Sequence, residues 1–121
     1  MLNAFGKFSR KLRIEHNEVL KDMAKKLGVT SAYLSAVEVG KRNIPTEWFE
    51  SISVNYNLSR IEQDCLRKSI DSSIKQLKID LENYNEMQRE TAAVFARKLE
   101  ELDEQDIKKL FEVFNKHRGG I

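Results

Sequence analysis

Between Val19 and Pro45 the chain is punctuated by two glycines in a way that leaves little architectural freedom. Leu20, Met23, Ala24 and Leu27 lie at helical spacing, so a helix is predicted over about Val19 to Leu27, ending at Gly28, whose tolerance of positive φ suits the residue after a helix. Thr30 is a good N-cap for a second helix running to about Val39, with Leu34 and Val37 turned inward and Gly40 as its stop. A basic loop, Lys41 to Pro45, follows. Helix, tight turn, helix: this is helix-turn-helix geometry.

The flanking segments supply the helices such a pair must pack against. Leu2, Phe5, Phe8 and Leu12 recur at three- and four-residue steps, which predicts a helix from about Asn3 to Glu15 with Lys7, Arg10, Lys11 and Arg13 on its other face. A helix from Thr46 to about Tyr56 buries Trp48, Phe49 and Ile52. Ser59 with Glu62 is a capping-box signature, and Ile61, Cys65, Leu66 and Ile70 continue an inward stripe on a fifth helix. One unit therefore closes at about residue 72. Beyond it, Leu77, Ile79 and Leu81 alternate with charged residues, a two-residue period that predicts a short strand over about 75–82. An isolated strand needs a partner, and the same strand of another copy is the simplest one. Helices are predicted over about 85–102 and 104–117, with Asp103 as the cap between them. Their apolar residues, including Phe95, Leu99, Leu110, Phe111 and Phe114, need either a second chain or the N-terminal unit to cover them. The expectation is a mainly α chain: a five-helix domain over 1–72, then a strand and two helices over 73–121 that dimerise through Leu77, Ile79, Leu81 and those five residues. With 5 Gly and one Pro in 121 residues, a sandwich or barrel is disfavoured.

The formal charge of +2 hides an asymmetry. Residues 1–60 carry ten Lys/Arg and six Asp/Glu, whereas residues 61–121 carry eleven and thirteen. Lys7, Arg10, Lys11, Lys41, Arg42 and Asn43 form a candidate set for gripping a polyanion, with Lys25 or Lys26 a less secure addition. A single cysteine, Cys65, excludes an intramolecular disulfide and reads as a small core residue. His16 and His117 are isolated from it and from each other, so no metal-ligand spacing exists. Neither a phosphate-cradling glycine loop nor a nucleophile with a nearby base is present, so neither an enzyme nor a cofactor is expected. No apolar run approaches the length of a membrane span, and Met1 to Arg13 does not read as a signal peptide. A cytoplasmic chain with no membrane partner is expected.

In helix-turn-helix proteins the second helix enters the major groove, about 12 Å wide, and its N-terminal residues meet base edges. From about Phe8 to Leu58 the chain resembles the Cro and phage-repressor type of regulator, the XRE family, with its five-helix lambda-repressor-like domain. The residues that carry the likeness are Leu12-Arg13, Met23 to Thr30, Tyr33 to Arg42, and Pro45. The resemblance implies base-edge contacts at Ser31, Ala32, Ser35 and Ala36, with Thr30 and Tyr33 near the phosphates or thymine methyls. It also implies a structural ion pair between Arg13 and Glu38. Leu20 departs from the family, which usually has Gln there, so one contact is lost. The small, apolar reading tip leaves specificity to Tyr33, the Arg42–Asn43 loop or DNA shape.

The expected function is a sequence-specific transcriptional regulator, a repressor, that binds an inverted repeat in double-stranded DNA as a homodimer. An alternative is an antitoxin-like chain that binds a toxin through its C-terminal region and represses its own operon. A small-molecule-gated regulator would need a ligand module that about 45 residues do not display.

Overall fold

The computed structural model describes residues 1–117, and two compact units divide between Leu77 and Lys78. The first unit holds α1 (Ala4–Glu15), α2 (Leu20–Leu27), α3 (Ser31–Glu38), α4 (Trp48–Asn55) and α5 (Arg60–Ser73). In the second are α6 (Glu86–Lys98), a 3-10 turn (Leu99–Glu101) and α7 (Glu104–Lys116).

Local chemistry sets most of the ends. Asn3 caps α1, its Oδ1 accepting from Gly6 N at 2.7 Å. Thr30 Oγ1 accepts from Tyr33 N at 3.0 Å at the start of α3. Ser59 and Glu62 close a reciprocal capping box on α5. Gly28 (φ 71°) and Gly40 (φ 83°) occupy the left-handed region, where a side chain is strained. Two asparagines do the same after α1 and α4: Asn17 (φ 55°) and Asn57 (φ 48°) are stops that a search for glycine alone overlooks. Helix α4 starts later than Thr46 because Trp48 N donates to Pro45 O at 3.1 Å, closing a turn first.

The core of the first unit is built from Phe5, Leu12, Met23, Ala24, Leu34, Val37, Trp48, Ile52, Tyr56, Leu58, Leu66 and Ile70. Phe5 and Trp48 stand 6.0 Å apart, ring to ring, at its centre. The first unit runs to Leu77, beyond the expected 72, and Lys75 Nζ donates to Gly40 O at 3.1 Å within it.

Three expectations need correcting. Among the described residues there is no strand. The stretch 75–81 is irregular, and Glu82 N donates to Asp80 Oδ1 while Tyr84 N donates to Leu81 O, turning the chain toward α6. Alternating side chains favour extended backbone, but a strand also needs a ladder partner, and none lies among the described residues. Cys65 and Ile61 are exposed rather than inward. Only Leu66, Ser69 and Ile70 of α5 are buried, because the inward face is set by contact with α1 and α4, which narrows the stripe drawn from periodicity.

Candidate nucleic-acid interface

Helix α3 buries Leu34, Val37 and Glu38 and turns the rest outward. Thr30, Ala32 and Ser35 are exposed, and Ser31, Tyr33 and Ala36 are partly so. The exposed tip is thus the set of small residues singled out from the sequence. Its only acidic residue, Glu38, is withdrawn: Arg13 Nη1 lies 2.5 Å from its Oε2, Nη2 lies 3.3 Å from its Oε1, and the Ser9 hydroxyl donates to Oε2 at 2.5 Å. Both members of the pair are buried, and the guanidinium also approaches the Met23 sulfur. The outward face of α3 therefore carries no negative side chain.

The helix is fixed at its C-terminal end from outside the motif. Its last carbonyl, Glu38 O, would otherwise lack a partner. Asn3 N donates to Glu38 O at 2.9 Å and Asn3 Nδ2 to Val37 O at 3.1 Å. Lys41 N and Arg42 N both reach back to Ala36 O, which wraps the basic loop onto the helix end. Gly6 lets α1 come this close: a Cβ there would stand well under 3.0 Å from Glu38 O. Asn3, Gly6 and Lys75 are therefore parts of the site that sequence reasoning missed. Their partners lie more than thirty residues away along the chain, so no local pattern marks them.

Lys7, Arg10, Lys11, Lys25, Lys41, Arg42 and Asn43 are all exposed. The Arg42 guanidinium sits 5.7 Å from the Tyr33 ring, which packs edge-on against Trp48 at 6.1 Å. Tyr33 is thereby held between the Arg42 guanidinium and the Trp48 ring. Beside the loop, a groove of about 290 Å³ is bordered by Arg42, Arg67 and Lys75, with Asp71 the acidic residue on its rim. Lys26 is separated from the other cations by its partners: it pairs with Glu18, which also accepts from the Tyr56 hydroxyl at 2.5 Å, and it lies over the Tyr56 ring. Partial burial pushes the Glu18 carboxyl up, but the hydrogen bonds from Lys26 and Tyr56 outweigh it and hold the group below its ordinary value of 4.5. Burial and the same carboxylate push the Tyr56 hydroxyl well above its usual range.

In the second unit Leu77's neighbours in the expected dimer set, Ile79, Phe95, Leu99, Phe111 and Phe114, are exposed, as is Leu77 itself in the first, while Leu81 and Leu110 are partly covered. No residue of α6 or α7 is buried. Among the described residues no group of three His, Cys, Asp or Glu side chains is placed to hold a metal, and no helix is long and apolar enough to cross a membrane. No protein-family model, curated protein or solved structure matches the chain.

Proposed function

We propose that this chain is a non-enzymatic, cytoplasmic transcriptional regulator, a repressor, that reads an inverted repeat in double-stranded DNA as a homodimer. The observation that carries this is the charge state of α3: small polar and apolar side chains face outward at its N-terminal end, while its one carboxylate is buried against Arg13. A base-edge reader must approach phosphates on both sides, so an exposed carboxylate there would repel the duplex. The surrounding unit, Met1–Leu77, is also cationic, with thirteen Lys/Arg against nine Asp/Glu. Thr30, Ser31, Ala32, Ser35 and Ala36 would meet base edges, where hydroxyls accept or donate to several bases and alanine methyls touch thymine methyls. Lys41 and Arg42 would clamp phosphates beside them, and Lys7, Arg10, Lys11, Lys25 and Asn43 extend the contact.

Selection of bound duplex from a random pool tests the reading. An inverted repeat with half-sites roughly 34 Å apart, or a multiple of that, is expected. A selected palindrome bound no better than random duplex at moderate salt would refute it. The uncovered apolar face of α6 and α7 also suits the antitoxin alternative. Stoichiometric capture of a small protein encoded beside this chain, neutralised by residues 78–117, would favour that alternative.

A further inference from the structure

Helices α6 and α7 are well specified locally yet have no core. Asn85 with Gln88 and Asp103 with Asp106 form capping boxes at their starts. At 13 residues each, both are near the length at which an isolated helix is marginal in water. Propensity alone does not sustain them, and no side chain of either is buried. Between them runs an apolar groove of about 410 Å³, lined chiefly by Val94, Phe95, Leu102 and Leu110. Phe111 and Phe114 form an edge-to-face pair, ring centroids 5.7 Å apart, and each is more than half exposed. The unit thus has both a cleft and a protruding aromatic pair.

We propose that two copies of the chain join by reciprocal insertion, the Phe111–Phe114 pair of one entering the α6–α7 groove of the other about a two-fold axis. This rests on the homodimer of the preceding section and specifies its interface. A cavity of roughly 150 Å³ accepts one benzene ring, so the groove has room for two. The exposed apolar surface of Met87, Val94, Phe95, Leu99, Ile107, Phe111, Val113 and Phe114 is on the order of 800 Å² per copy, the size of a standard stable interface. The charges beside this face are in part already paired within the unit, Lys98 with Glu101 and Lys108 with Glu104, so the apolar area, self-complementary about a two-fold axis, is what selects a second copy.

The test uses the full chain with Cys65→Ser, carrying either Val94→Cys or Phe114→Cys, purified separately and then mixed under mild oxidation. Disulfide-linked dimer is expected in the mixture well above the level in either chain alone. Equal cross-linking in the unmixed chains, or none in the mixture, would overturn reciprocal insertion. Sedimentation of the wild-type chain should give a dimer, and Phe111→Glu should weaken it at least ~30-fold while leaving Trp48 fluorescence native. A wild-type chain that is monomeric at tens of micromolar, or one that pairs only with a foreign helix, would also overturn it. Duplex binding by variants of Thr30–Asn43 is scored separately, so loss of the dimer interface with base discrimination intact strikes out this inference alone.

Discussion

Replacing Gly6 with alanine sets two effects of opposite sign against each other. Helix propensity alone favours the change by about 1 kcal/mol, since Gly6 lies inside α1. Packing opposes it. The added Cβ would stand well inside 3.0 Å of Glu38 O, 3.0 Å from Glu38 Cβ and 3.1 Å from its carbonyl carbon, and two of those three atoms are backbone. Helices α1 and α3 would have to part by roughly 1 Å to restore ordinary contact, in an interior with no slack. Glu38 O is also the acceptor for Asn3 N, and Asn3 Nδ2 holds the neighbouring carbonyl of Val37, so parting stretches two hydrogen bonds worth about 1 kcal/mol each. Overpacking by one methyl costs about 1–3 kcal/mol. The net expectation for Gly6→Ala is a loss of about 2 kcal/mol, a fall in Tm of about 10 °C for a unit of this size. Urea or thermal unfolding followed by Trp48 fluorescence isolates the first unit, because the chain's single tryptophan is 2% exposed in that core. Gly28→Ala is the control: its φ of 71° carries strain of about 1 kcal/mol, but nothing lies within 4 Å of the added atom. Should Gly6→Ala match or exceed wild-type stability, the close approach of α1 to α3 is not what positions α3.

Further outcomes follow from the ion pairs and the cations. Glu38→Ala should cost about 3 kcal/mol, because it leaves the Arg13 guanidinium buried without its carboxylate; replacing both residues with apolar ones should recover part of that loss in the same melt. Tyr56→Phe removes a donor to Glu18 and should cost about 1.5 kcal/mol at pH 7. The Glu18 pKa is lowered by folding, so its contribution is present above the unfolded value of 4.5 and fades as pH falls through the lower folded value; the gap between wild type and Tyr56→Phe should narrow as pH drops below 4.5, and a gap that does not narrow at all on acidification contradicts the assignment. In duplex binding, Lys41→Ala and Arg42→Ala should each flatten the log-log salt slope by about 0.9, whereas Lys26→Ala, whose ammonium is occupied by Glu18, should leave the slope unchanged and lower stability instead.

Helix identity was legible in the sequence because the signals are local. Thr30, Ser59, Asn85 and Asp103 cap the helices they precede, and Gly28 and Gly40 end theirs, since each involves backbone groups within a few residues. The outward set on α3 follows equally from periodicity: once Leu34 and Val37 are inside, Ala32 and Ser35 are outside. Tertiary structure alone decided the rest. Asn3 and Lys75 reach the end of α3 across long loops of chain, Gly6 matters only because Glu38 O lies against it, and Cys65 is outside because α1 and α4 cover a narrower face of α5 than its apolar stripe suggests. The stretch 75–82 shows the same division from the other side. Its alternating side chains were set by the sequence, but whether its backbone joins a sheet depends on a neighbour that a one-dimensional pattern does not contain.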